Sequence, residues 1–199
     1  MYTQQFIKKT LVVVLGTMLM SIGLNLFIFS GQGVDPLSTF LDGVVQHIPL
    51  ELGTMISIFN TIVLVTVFFV DRRHIGVGSF INGIFTGVFS NMLMTPMAPL
   101  QSLPTVVLVL LGVVIFSLGI AVYMSAMFGL GSMESTMLIF TSRTGIDATI
   151  VRTVMDVAFI IVGILLGATF GYGSILSAVF NGKLIGIFSG WITKFSQPK

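Results

Sequence analysis

Six stretches of this chain each hold about twenty residues with hardly a charge among them, the length a helix needs to cross roughly 30 Å of hydrocarbon at about 1.5 Å per residue. They are Leu11–Ser30, Leu52–Val70, Gly78–Met97, Thr105–Phe128, Ala148–Gly167 and Gly173–Ile192. No water-soluble core of 199 residues needs so many long apolar runs. Six membrane crossings follow, and they leave only short connections, so the chain reads as one transmembrane domain over 1–199 with no soluble catalytic domain. The first run follows Lys8 and Lys9, but it is too long for a signal peptide and no Ala-x-Ala site follows it, so it is expected to be retained.

Composition agrees: 55% of residues are hydrophobic and 8% charged, against about a quarter charged in soluble domains. There is no cysteine, which removes disulfides and thiolate chemistry. The few basic residues are unevenly spread. With an inside N-terminus and six crossings, Lys8, Lys9, Arg72, Arg73, Arg143, Lys194 and Lys199 all fall on the inner side, while Asp35, Asp42 and Glu51 fall outside. That asymmetry predicts a multi-pass membrane protein with both termini cytoplasmic.

The two halves resemble each other. At an offset of 96, Gly16 meets Gly112, Ser21 meets Ser117, Gly23 meets Gly119, Gly33 meets Gly129 and Asn60 meets Asp156. Beyond the DRRH loop the offset is 95, and IGVGSF (75–80) faces FGYGSI (170–175). This ordered series predicts an internal repeat, 11–97 and 104–193. Three crossings per copy force the second copy to enter from the opposite side, so the expected fold is all-α, with two inverted three-helix repeats.

Each copy also carries a short helix after its first crossing. Pro36–Ile48 places Leu37, Phe40, Leu41, Val44, Val45 and Ile48 on one face and Ser38, Thr39, Asp42, Gln46 and His47 on the other, an amphipathic pattern too short to cross. Gly33, Asp35 and Pro36 open it: an Asp N-cap followed by a proline at the first helical position. In the second copy Gly129 and Gly131 precede Ser132, a candidate cap, with Glu134 in the first turn, where the helix dipole favours an acid. Two readings are open, an interfacial helix lying flat or a re-entrant one whose N–H groups face a wet vestibule.

Ionisable groups inside crossings are expensive and therefore informative. Arg152 lies one turn into the fifth crossing, Asp156 one turn deeper on the same face, and Lys183 about halfway along the sixth, with Asn60 at comparable depth in the second. Arg152 is either a snorkelling residue or part of a site. Asp156 and Lys183 are too deep to snorkel and are expected to pair, or to line a polar cavity. If they form a solute site, Asp156 is the protonatable or cation-coupling group and Arg152 and Lys183 face an anionic or zwitterionic solute. The bland reading is a buried ion pair that fixes helix packing.

Small residues recur every four positions, at Gly83 and Gly87; Ser117, Ala121 and Ser125; Gly163 and Gly167; and Gly182, Gly186 and Gly190. They serve either packing within the bundle or a homodimer. MLMTPM (92–97) reads as soft packing, since no His clusters with the thioethers. His47 and His74 lack partners at metal-binding spacing, and no phosphate loop, HExxH or serine elbow is present, so no metal, cofactor, nucleic-acid partner or enzymatic activity is expected.

Gly33-x-Asp35-Pro36 after the first crossing, Gly-x-Gly-Ser before the third and sixth, Arg-x-x-x-acid in the fifth and Gly-Lys in the last together resemble the YczE/YyaS/YitT-like integral membrane proteins of bacteria, over nearly the whole chain. The family pattern has an aromatic where Leu37 stands, Pro-Arg-Asp near Ser132, Met133 and Glu134, and Glu at Asp156. The resemblance implies a multi-pass cytoplasmic-membrane protein of the kind suspected of transport. The expected function is therefore a secondary transporter or exporter of a small solute. The rival is a non-transporting membrane subunit, either the substrate-binding partner of a permease or an accessory factor.

Overall fold

The computed structural model describes residues 2–196, so Lys199, assigned above to the inner side, lies outside the described residues. Eight helices follow in order: α1 (Tyr2–Ser30), α2 (Pro36–Val45), α3 (Leu52–Val70), α4 (Val77–Met97), α5 (Thr105–Ser125), α6 (Ser132–Thr144), α7 (Ala148–Leu165) and α8 (Tyr172–Ser196). Six of them are long and apolar enough to cross a membrane, and α2 and α6 are the short exceptions. Among the described residues there is no strand, only an isolated bridge between Gly33 and Phe170. The fifth crossing ends at Ser125 rather than Phe128, because the chain turns over 126–131.

The centre is the crossing of α1 and α5. Gly16 packs on Gly119 and Tyr123, and Gly23 on Phe116, so contacts rise along α1 as they fall along α5 and the two helices run antiparallel. A Cβ on Gly16, Gly23 or Gly119 would strike backbone of the opposite helix, so glycine is what lets the axes come this close. Leu24, Phe27, Val109, Val113, Phe116 and Ile120 fill the space around the crossing.

Polar side chains rivet the flanking helices to this pair. In lipid an unpaired polar group has no water to turn to, so such bonds locate a helix as well as hold it. On one side α4 lies along α1: Ser21 Oγ donates to Thr86 O (2.8 Å), Asn25 Nδ2 to Ser90 O (2.9 Å) and Ser90 Oγ to Asn25 Oδ1 (2.5 Å). On the other side α8 lies along α5, where Ser117 Oγ donates to Asn181 Oδ1 (3.0 Å). Ser117 stands 96 residues after Ser21, and Asn181 95 after Thr86.

The outer layer differs between the halves. α3 packs directly on α4, with Gly87 against the Gly53 carbonyl and Ser57 Oγ donating to Ile84 O (2.6 Å). α7 packs on α2, with Gly43 against the Gly163 carbonyl, and stands apart from α8. Gly182, the counterpart of Gly87, has nothing within reach of an added Cβ; Gly186 and Gly190 are equally free. Of the two readings, packing within the bundle holds for Gly87 and Gly163 but not for Gly182, Gly186 and Gly190.

The polar residues at the start of α2 do not face water. On α2 the polar Ser38 and Thr39 are buried along with Leu41, and Thr39 Oγ1 lies 3.4 Å from Ser174 Oγ of α8. Both faces of α2 are covered because α7 and α8 close over the side that sequence spacing assigns to water. α2 runs beside the second half of α7, from Thr39 against Gly163 to His47 Nε2, 3.0 Å from Leu166 O. α6 runs beside the second half of α3, from Ser132 at Asn60 to Arg143 near Val70.

Candidate functional site

Both chain breaks are built the same way. Gly33 and Gly129 have positive φ (80° and 120°), where a side chain is strained. A Cβ on Gly33 would collide with Ser174 Oγ, and one on Gly129 with Ser79 Oγ, the residue 95 positions before Ser174. Backbone bonds repeat the exchange: Ser174 N donates to Gln32 O (3.3 Å) and Gly78 N to Phe128 O (2.8 Å). Each break is therefore clasped by the Gly-x-Gly-Ser helix start of the other half.

From these clasps α2 and α6 start deep in the protein. Asp35 caps α2 by accepting from Ser38 N (3.3 Å), with Pro36 at the first helical position, as expected. At α6 the cap is Gly131; Ser132 sits one position inside the helix, and the expectation that it caps is not met. Its hydroxyl instead donates to Asn60 Oδ1 (2.5 Å), because the side chain points across to α3 rather than back along its own helix. The first turns of both short helices and Asn60 meet at one small cavity of about 60 Å³, lined also by Asn82, Thr86, Glu134 and Arg152.

Glu134 is more than a helix-start residue. Its Oε2 accepts from Tyr123 Oη (2.7 Å), and its Oε1 lies 3.6 Å from Arg152 Nη1. Arg152 Nε lies 3.1 Å from both Asp156 oxygens. Arg152 thus turns inward, between two acids, instead of snorkelling. Asp156 and Lys183 do not pair: Asp156 is taken by Arg152, and Lys183 forms no ion pair among the described residues. They do face a common space. A cleft of about 540 Å³ opens between α6, α7 and α8, lined by Glu134, Arg152, Asp156 and Lys183 together with Thr149, Asn181 and Gly182. Asn60 stays in the small cavity, separated from the cleft by Glu134 and Arg152, which line both.

Sequence reasoning singled out the charged residues and passed over Tyr123, Asn82, Thr86 and Asn181. Each is a neutral polar residue in an apolar helix, and for Thr86 and Asn181 the signal was the offset series, since Asn181 stands where the first half has Thr86. Outside the crossings, Arg73 hydrogen-bonds Asp71 and holds its carboxyl at about 2, below the ordinary carboxylate range. The described residues gather no group of three or more His, Asp or Glu side chains placed to hold a metal ion.

Residues 7–190 match a family described as of unknown function, DUF6198. The chain belongs to this family. Among its relatives is the uncharacterized membrane protein YczE of Bacillus subtilis (strain 168), 26% identical over 186 residues, covering 92% of this chain and 83% of the relative. An uncharacterized protein of Haemophilus influenzae is 24% identical over 195 residues, 98% of this chain and 88% of the relative. The uncharacterized protein YyaS of B. subtilis is 24% identical over 178 residues, 87% of this chain and 89% of the relative. No solved structure matches. The expected kinship with YczE-like membrane proteins is met, and this DUF6198 protein is a multi-pass helical membrane protein in contact with lipid.

Proposed function

We propose that this DUF6198 protein is a secondary transporter or exporter of a small zwitterionic or anionic solute, built as two inverted repeats in the bacterial cytoplasmic membrane. The observation that carries this reading is the cleft between α7 and α8, set against the shut seam between α3 and α4 at the corresponding place in the other half. An inverted pair of repeats in which one seam is open and its counterpart closed has the form of one end state of an alternating-access cycle. Exchanging the two seams would carry a solute from one face to the other.

The repeat reading is supported by the antiparallel α1–α5 crossing, the matched Ser21–Thr86 and Ser117–Asn181 bonds and the exchanged clasps. On it, α2 and α6 are re-entrant: they begin near mid-depth and run toward opposite faces. The inner face is the one where Lys9 Nζ donates to Met127 O (3.3 Å) and Leu130 N to His74 O (3.0 Å), beside Arg72 and Arg73.

In the cleft, the carboxylate or phosphate of a solute meets Lys183 and competes with Asp156 for Arg152. An ammonium group is received by the carboxylate so released, or by Glu134. Removing water from a charge in this setting is costly, so groups that replace its shell one for one are what make transfer possible.

The test uses the natural absence of cysteine. Thr153 and Val179 correspond to Ser57 and Ile84, which touch across the closed seam, and both line the cleft. A Thr153→Cys/Val179→Cys protein should cross-link under mild oxidant in membranes if the seam closes, and a zwitterionic solute found by thermal-shift screening should change the yield. Uptake of that solute into liposomes, with and without a proton gradient, then separates a transporter from a subunit that only binds. No cross-link under any condition, or binding with no uptake unless a partner is added, would refute the transporter reading.

A further inference from the structure

The 60 Å³ cavity behind the cleft presents oxygen lone pairs whose protons are committed elsewhere. Thr86 Oγ1 donates to Asn82 O (2.6 Å), and Ser132 Oγ to Asn60 Oδ1 (2.5 Å). Asn82 Nδ2 is turned away, toward Thr17 Oγ1 (3.3 Å) and Met20 Sδ (3.2 Å), which leaves its Oδ1 beside Gly131. Asp35, 7% exposed, lines the same space, and its buried Oδ1 has no hydrogen-bond partner.

The positive features nearby are already answered. Arg152 is held between Glu134 and Asp156. Each short helix brings an acid to its own positive end, Asp35 as the cap of α2 and Glu134 in the first turn of α6. Asp35 makes no ion pair among the described residues. A lining of one unpaired carboxylate with amide and hydroxyl oxygens suits a hard cation, and a single free carboxylate balances one charge rather than two.

We propose that this cavity binds sodium, with Asp35 supplying the charge and Asn82, Thr86, Ser132 and Asn60 the neutral oxygens. A water needs about 10–15 Å³ of such space, so one ion with a water or two fits and an organic solute does not. The site is thus separate from the solute cleft and does not depend on it.

The test is thermal unfolding of the purified full-length protein in NaCl, KCl or choline chloride at equal ionic strength, with no solute and no gradient. Sodium about tenfold above its Kd should raise Tm by about 3–6 °C relative to choline, saturably. Asp35→Asn keeps a good helix cap and should fold, yet lose the sodium increment. Asn82→Ala should shift the half-saturating sodium concentration upward, and Asp71→Asn, an acid in an exposed turn, should leave it unchanged. Line broadening of sodium-23 resonances by the parent, reversed by Asp35→Asn, is the second reading. Equal Tm in the three salts, or a sodium increment that survives Asp35→Asn, overturns the proposal; neither result bears on whether the cleft moves a solute.

Discussion

Gly182→Ala separates the two states that the proposed cycle gives the α7–α8 seam. In the observed state an alanine Cβ meets nothing, and exchanging glycine for alanine in a helix gains up to about 1 kcal/mol, or about 2–4 °C in Tm for a chain of this size. If the seam closes as α3–α4 does, the same Cβ is driven into α7 near Thr149, just as one on Gly87 would strike the Gly53 carbonyl. Overpacking of that kind costs about 1–3 kcal/mol. The helix gain is common to both states and cancels between them, so the closed population should fall about 5–150-fold. The expected result is a protein that is at least as stable as the parent and binds solute normally, but takes it up more slowly by that factor in liposomes. Gly87→Ala should bias the cycle the other way and lower Tm, since its collision is present in the observed state. Parental uptake by Gly182→Ala, with solute binding intact, would refute the closure of this seam.

Removing the guanidinium by Arg152→Met leaves Glu134 and Asp156 facing each other without a cation, and should cost about 1–3 kcal/mol after allowance for partial exposure, with part of that regained on adding Asp156→Asn. A calorimetric double-mutant cycle reads this, and additive losses would contradict the ion-pair assignment. Asn25→Ala strips two bonds to Ser90 from a fully buried position and should lower stability by about 1–3 kcal/mol in a detergent-denaturation series; a change near zero would mean that α4 is not riveted to α1 there. The Asp71 carboxyl should titrate at about 2 by carbon-13 NMR. Its folded value is depressed, so whatever stability it contributes is present above about 4 and fades as pH falls toward 2. A midpoint near 4 would mean that Arg73 does not hold it.

The crossings were legible because length and apolarity are one-dimensional properties, and a 19-residue run such as Leu52–Val70 has few alternatives. The breaks were legible because Asp35-Pro36 can start a helix but not continue one. The burial of α2 on both sides was not. Ser38 and Thr39 look like a solvent face until Ser174, 135 residues after Thr39, is brought against them. Likewise the i, i+4 spacing put Arg152 and Asp156 on one face, but the partner expected for Asp156 was Lys183, and Glu134 joins Arg152 only through the way α6 is hung from its clasp.

Gly87 and Gly182 mark where sequence reading reaches its limit. They hold corresponding places in the two halves, yet one is pressed against a carbonyl and the other faces open space. A small residue gives a helix the capacity to be approached; it does not say whether the approach has occurred. In a protein with one static packing, a glycine with no neighbour would be an unexplained cost, since glycine in a helix forfeits about 1 kcal/mol relative to alanine. In a protein that exchanges two seams, that cost has a reason. On the proposed cycle, Gly182 is small for the half in which α7 lies against it, and its open surroundings are themselves part of the case for movement.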